Sequence, residues 1–206
     1  MKKGKFITFE GSEGSGKSTQ SRLLYNYLKD KGYPVVYLRE PGGTRIGEKI
    51  RAILLDKKNK GMSAECETLL YMASRAEAVN KIIKPALSKG KIVICDRFLD
   101  STIAYQGYGL GVDIKTIIFI GKFVSYGIKP DLTIFLDIPI QKGLAYRKGV
   151  RDRIEMRSLY YHRRVRNGYL TMARKEPARI KVVNVDKDKQ KTQSKIRSLI
   201  HDFIKK

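Results

Sequence analysis

The stretch FEGSEGSGKSTQ runs from Phe9 to Gln20. It follows the apolar run Phe6–Phe9 and contains Gly11, four further residues, then Gly16-Lys17-Ser18. This is the spacing with which a strand, a glycine-rich loop and a helix cradle a phosphate. Glycines let the backbone curl so that successive N–H groups converge on an anion. A helix starting near Lys17 adds the positive end of its dipole. Lys17 has the reach for the β- and γ-phosphates, and the Ser18 hydroxyl suits Mg²⁺. The loop therefore predicts a nucleotide binder built on an α/β fold.

The rest of the chain fits that beginning. Strand-like runs recur near Lys5–Glu10, Pro34–Leu38, Lys91–Cys95, Leu132–Leu136 and Lys181–Val185. Each is followed by polar residues or glycine and then by helical patterning, which predicts a parallel sheet of about five strands with helices on both faces. Runs such as Ile134-Phe135-Leu136 are apolar on both alternating sets, as strands covered on both sides should be. A helix is expected over Gln20–Lys31 and another over Ala64–Ser88.

The chain has 206 residues, 42% of them hydrophobic, which suits one globular domain over 1–206. No apolar run approaches the roughly 18 residues that a membrane span needs. The apolar stretch after Lys5 is too short for a signal-peptide core, so a cytoplasmic protein is expected. Cys66 and Cys95 lack metal-ligand spacing, and Cys95 reads as a small buried thiol in a strand. The net charge is +23. Such a field favours anionic partners, and charge alone does not choose between nucleic acid and a small phosphorylated substrate.

In open parallel sheets ligands gather at the carboxyl ends of the strands. After the second strand come Arg39-Glu40-Pro41-Gly42-Gly43-Thr44-Arg45, a candidate second anion site or else a turn with solvated arginines. The third strand ends in Asp96-Arg97, where Asp96 can serve the Mg²⁺ shell and Arg97 can clamp a phosphate; the alternative is an unremarkable surface pair. Tyr71 and Arg75 stand four apart on one helix and share a face, so a ring and a guanidinium can meet a base there unless Tyr71 is core. Between Lys142 and Lys181 there are 13 Lys and Arg against Asp152, Glu155 and Glu176. Within that region Tyr146–Arg153 reads as a basic lid, around 142–155, or as a solvated loop.

One phosphate loop, a second anion site, a base-stacking pair and a basic lid suggest two phosphorylated ligands meeting head to head. A triphosphate donor and a monophosphate acceptor fit. The acceptor phosphate is already a competent nucleophile, so positioning and charge neutralisation suffice without a catalytic base.

At this point the sequence resembles the thymidylate kinase family over nearly its whole length. The carriers are FEGSEGSGKSTQ, REPGGTRIGEKIR, LLYMASRAEAV, DRFLDSTIAYQG, PDLTIFLDIP and RDRIE, in that order. The resemblance implies a P-loop, three-layer fold and transfer of the γ-phosphoryl of ATP to dTMP, with Mg²⁺ and commonly as a homodimer. It implies that Gly11, Ser12, Glu13, Gly14, Ser15, Gly16, Lys17, Ser18 and Thr19 hold ATP, with Ser18 and Asp96 toward the metal. Glu13, Arg39 and Arg97 would face the dTMP sugar and phosphate. Tyr71, where the family usually has Phe, would stack on thymine and Arg75 would bond its edge. Thr102 and Gln106 lie where base contacts are expected, and Tyr105 resembles the tyrosine that crowds the 2′ position. Lys17, Glu13, Arg97 and Arg153 are the catalytic candidates. Some members carry an arginine inside the P-loop; here Gly14 stands in the loop and Arg147, Arg151 and Arg153 lie in the lid. This resembles the bacterial-type arrangement, which implies Arg153 of RDRIE as first choice for the transferred phosphoryl.

Two rivals remain at the level of sequence. One is a kinase for another monophosphate, such as dUMP or dCMP. The other is a basic P-loop protein that binds nucleic acid, for which Tyr160-Tyr161-His162-Arg163-Arg164 is the sole candidate surface; that segment reads equally as one turn of an amphipathic helix.

Overall fold

The structure, a computed structural model, describes residues 4–146 and 152–205. Five strands form one sheet: β1 (Lys5–Gly11), β2 (Val35–Arg39), β3 (Ile92–Asp96), β4 (Leu132–Asp137) and β5 (Ile180–Asn184). Their order is β2-β3-β1-β4-β5, and every pairing is parallel. The register levels the carboxyl ends: Phe9 and Arg39 both lie opposite Asp96, and Gly11 lies opposite Leu136.

The strands form where Val, Ile and Phe concentrate, and all five residues of β3 are buried. Side chains alternate between the faces of a strand. Ile7, Phe9, Ile94 and Ile134 pack on one side with Leu24 and Leu28 of α1 (Lys17–Asp30) and Ile196 and Ile200 of α9 (Lys189–Lys205). On the other side Phe6, Val93 and Cys95 meet Ala78 of α3 (Ala64–Ala78) and Phe98. Phe135 there packs with Tyr105, Val165 and Tyr169, the last two from α8 (Leu159–Lys175). Helices on both faces complete the three layers that the alternating pattern predicts.

Between these lie α2 (Arg45–Leu55), α4 (Lys84–Ser88), α5 (Leu99–Thr102), α6 (Ile114–Val124) and α7 (Ile140–Tyr146). The helix expected over Ala64–Ser88 is divided: a π-helical turn at Val79–Ile83 separates α3 from α4. A second π turn, Ile103–Gly109, follows α5 and carries Tyr105 and Gln106. Such widened turns rotate side chains off the regular helical register and recur at functional sites. Tyr161 and His162 are buried in α8 while Tyr160 is exposed, so that segment takes the amphipathic-helix reading. Among the described residues, no helix is long and apolar enough to cross a membrane.

Candidate active site

The loops after β1, β2 and β3 open onto a single cleft, with α3 and the Ile103–Gly109 turn as one wall. The P-loop forms its floor. Gly14 and Gly16 have positive φ, +72° and +81°, where a Cβ is disfavoured. Gly16 caps α1 without a side-chain hydrogen bond, whereas Thr44, Ser63 and Ser158 cap α2, α3 and α8 with theirs. The first N–H groups of α1 are thus left for an anion.

Lys17 is buried at the helix start, and its Nζ donates to the Ser12 carbonyl at 2.8 Å. Burial, followed by the positive charge of Arg97, pulls its pKa down to about 8. A bound phosphate would oppose both effects. Ser18 Oγ donates to Asp96 Oδ2. Asp96 Oδ1 is buried and has no hydrogen-bond partner among the described residues. An orphaned carboxylate oxygen beside a hydroxyl fits a hard cation. Among the described residues, no group of three or more His, Cys, Asp or Glu is placed to hold a metal ion by itself. A cation here would complete its shell with nucleotide phosphates and water, as Mg²⁺ commonly does.

Arg97 sits at the end of β3 with φ +73°, a left-handed conformation that costs a non-glycine residue about 1–2 kcal/mol. Two hydrogen bonds hold it: Arg97 N–H to the Phe9 carbonyl at 3.0 Å and Phe98 N–H to Glu10 Oε1 at 2.7 Å. The guanidinium consequently faces the cleft. It donates to Glu13 Oε1 at 2.5 Å, Tyr105 Oη at 3.0 Å and Ser101 Oγ at 3.1 Å. Tyr105 Oη donates to the same Glu13 oxygen at 2.7 Å. Glu13, Arg97 and Tyr105 therefore form one unit over the P-loop.

The acceptor candidates divide. Arg39, Tyr71, Thr102, Tyr105 and Gln106 line the cleft. Arg75 stands behind it, fully buried, its Nε on Glu40 at 2.9 Å and its Nη2 on Thr102 Oγ1 at 3.1 Å. It orders the Thr102 hydroxyl instead of forming the wall itself. Burial against Arg75 leaves the Glu40 carboxyl raised to about 7, desolvation outweighing the guanidinium. The glycine pair after β2 is not open to an outside anion: Gly43 N–H donates to Glu48 at 2.8 Å and Gly42 N–H to Ser74 at 3.1 Å. Arg39 pairs with both oxygens of Glu48 at 3.0 Å.

Arg153 is buried and turned from the cleft. Its Nε donates to the Leu54 carbonyl at 2.8 Å and its Nη2 pairs with Glu67 at 2.6 Å, while its neighbours Asp152, Ile154 and Glu155 line the cleft. Arg147 and Arg151, the other lid arginines, lie outside the described residues.

Sequence reasoning missed two features. Arg51 of α2 lines the cleft and is anchored by Nη1 on the Pro41 carbonyl at 3.1 Å; it closes the REPGGTRIGEKIR stretch, but its place mid-helix among other basic residues does not mark it as a site residue. Glu10, fully buried, accepts from Phe98 N–H, Ser101 Oγ (2.5 Å) and Tyr169 Oη (2.8 Å), which ties the Arg97 loop to α8. Burial and then Asp100 push the Glu10 carboxyl up to about 7.

Comparison with known proteins agrees with this geometry. The family model for thymidylate kinase matches residues 9–196. A thymidylate kinase of Symbiobacterium thermophilum is 48% identical over 200 residues, covering 97% of this chain and 94% of that relative. One of Geotalea uraniireducens is 46% identical over 205 residues, covering 96% of each. The crystal structure of thymidylate kinase from Ehrlichia chaffeensis superposes with a TM-score of 0.81 at 37% identity, covering 96% of this chain and 99% of that one. By motif order, fold and relatives alike, the chain belongs to the thymidylate kinase family.

Proposed function

We propose that the protein transfers the γ-phosphoryl group of ATP to dTMP, giving dTDP and ADP. The observation that carries this reading is the joining of two half-sites on one floor. Lys17 and the free N–H groups of α1 serve a donor phosphate, while Arg97, Glu13 and Tyr105 stand directly beside them on the acceptor side. Tyr71 offers the ring for a base, and Arg51 lines the same cleft with Arg39, which is paired with Glu48. The acceptor phosphate attacks as an anion, and no side chain has to remove a proton from it. Mg²⁺ would be held by Ser18 and Asp96, and when bound it neutralises charge on the donor phosphates.

Arg97 has a dual position in this scheme. Glu13 and Tyr105 hold its guanidinium at the cleft floor, and a bound phosphate would compete for the same donors. Tyr105 lines the cleft beside Glu13 and Arg97 and is the residue proposed to crowd the sugar 2′ position, so deoxyribose is the expected sugar. Because Arg153 is committed to Glu67, Arg151 and Arg147 are the arginines proposed for the transferred phosphoryl. The whole chain is taken as one catalytic unit, cytoplasmic, with nucleic acid not required.

A homodimer is proposed through α6. Phe119 and Phe123 on this helix are 76% and 78% exposed, and Leu69 of the adjoining α3 is 55% exposed. Large aromatics in such numbers on one face suit a second copy of the chain. Sedimentation should give twice the chain mass, and Phe119→Glu with Phe123→Glu should give a monomer.

The functional reading is tested by ADP release from Mg·ATP against a panel of monophosphates. dTMP should be the best acceptor; no stimulation by any pyrimidine monophosphate would reject it.

A further inference from the structure

Glu67 lies one helical turn before Tyr71 on α3, is wholly buried and does not line the cleft. Its Oε2 accepts from Arg157 Nη2 at 2.6 Å and pairs with Arg153 at 2.6 Å. Its Oε1 accepts from Nε2 of Gln106 at 2.8 Å. Gln106 itself lines the cleft, beside Tyr71 and Thr102.

This arrangement has a chemical consequence. A carboxylate oxygen only accepts hydrogen bonds, so the amide of Gln106 must present its NH₂ to Glu67. Turning the amide over would set two acceptors against each other at 2.8 Å in a buried place, at the cost of an unsatisfied polar group. Gln106 Oε1 is therefore fixed on the opposite side, and among the described residues no protein donor occupies it. The two arginines pin the carboxylate from behind, so its orientation does not follow the ligand. What this corner of the cleft offers a base is an acceptor.

We infer that Glu67 is a positioning residue that sets the polarity of the base pocket through Gln106, making the pocket selective for a pyrimidine whose edge carries an imide N–H. Thymine and uracil carry that donor. Cytosine has an unprotonated ring nitrogen there and would meet oxygen with a lone pair. The inference rests on the reading of the cleft as a monophosphate-acceptor site. A polar mismatch in such a pocket discriminates far more strongly than a missing methyl group does.

The test is kcat/KM for dTMP, dUMP and dCMP with the wild type, Glu67→Gln, Gln106→Leu and the double variant. The glutamine in Glu67→Gln can donate as well as accept, which frees the amide of Gln106 to turn. The dTMP:dCMP ratio should then fall about tenfold or more, chiefly through KM of the pyrimidine. The dTMP:dUMP ratio and KM for ATP should stay as in the wild type. Gln106→Leu leaves Glu67 with both arginines and should lower the dTMP:dCMP ratio similarly, with no further fall in the double variant. If Glu67→Gln does not fold, Glu67→Asp takes its place: it keeps a carboxylate for the two arginines but shortens its reach to Gln106, and it should lower the same dTMP:dCMP ratio. A purely structural Glu67 would lower all three pyrimidines equally; an unmoved dTMP:dCMP ratio overturns the inference and leaves the kinase reading intact. A wild type that phosphorylates none of the three overturns both.

Discussion

Gly14 of the P-loop and Gly143 of α7 meet backbone to backbone. A Cβ on Gly14 would lie 1.7 Å from the Gly143 carbonyl oxygen, and a Cβ on Gly143 would lie 2.4 Å from that of Glu13. Neither neighbour is a flexible side chain. The helix that leads toward the lid therefore rests directly on the phosphate loop. The contact also gives a physical reason why this chain has no arginine at position 14. Any side chain there would drive α7 away, so the cation for the transferred group has to come from elsewhere.

Gly143→Ala should accordingly displace either α7 or the loop. The stability cost of such overpacking is about 1–3 kcal/mol. Because the shifted backbone belongs to the phosphate site, kcat should fall by roughly tenfold to a hundredfold in a protein that remains folded at 25 °C. Steady-state kinetics beside a thermal melt checks this. A folded variant with the wild-type kcat would mean that the two backbones part without consequence.

Lys17 carries a pH signature. Burial and Arg97 pull its pKa down to about 8, so the ammonium is lost as pH rises through that value. The deprotonated form lacks the charge that binds the β- and γ-phosphates, so kcat/KM for ATP should decline above about pH 8. Bound triphosphate favours the charged form, so the corresponding break in kcat should move to higher pH. Lys17→Ala should reduce kcat by on the order of a hundredfold or more, equivalent to about 2.7 kcal/mol or above. A kcat/KM profile that stays level through pH 9.5 would contradict the assignment.

Tyr71 lines the cleft, and burial raises its hydroxyl well above the ordinary phenol range, so it stays un-ionised. Tyr71→Phe should be mild. Tyr71→Ala should weaken dTMP binding by roughly 1–3 kcal/mol, the scale of base–aromatic stacking, with ATP binding hardly changed. Calorimetric titration of each nucleotide separates these outcomes. Equal losses for both would make Tyr71 a core residue.

The lid arginines should fall into two classes. Arg153→Ala removes one of two guanidinium partners from buried Glu67 and should lower the melting temperature. Arg151→Ala or Arg147→Ala should leave stability alone and reduce kcat strongly, with little change in KM for dTMP, as expected of a group that acts in the transition state. Lysine at the responsible position should rescue poorly, since a point charge does not reproduce the planar fork. Melting temperatures and kinetics of the three alanine variants decide it. If Arg153→Ala loses kcat without losing stability, its guanidinium leaves Glu67 during turnover.

Much of this molecule can be read from its sequence, for definite reasons. The strands are short apolar runs bounded by turn residues, and the structure has all five within about a residue of where the pattern puts them. The P-loop is legible because its chemistry depends on local spacing. The division of the Ala64–Ser88 helix by a π turn is not, since Val79–Ile83 contains neither proline nor glycine. Helical spacing shows that Tyr71 and Arg75 share a face but not that Glu40 and Thr102 claim the guanidinium. The pairing of Arg153 with Glu67 joins residues far apart along the chain, and RDRIE alone does not reveal its partner. Gly143 gave no signal, because only the packed α7 brings it against Gly14.

The central claim is that the cleft moves a phosphoryl group from ATP to dTMP. It is tested most directly by incubating the purified protein with ATP labelled at the γ-phosphate, Mg²⁺ and dTMP, and separating the products. The account predicts label in dTDP in amounts equal to the ADP formed, dependent on dTMP and formed about a hundredfold more slowly, or slower still, in Lys17→Ala. Label released only as inorganic phosphate, or absent from dTDP while ADP accumulates, would contradict it.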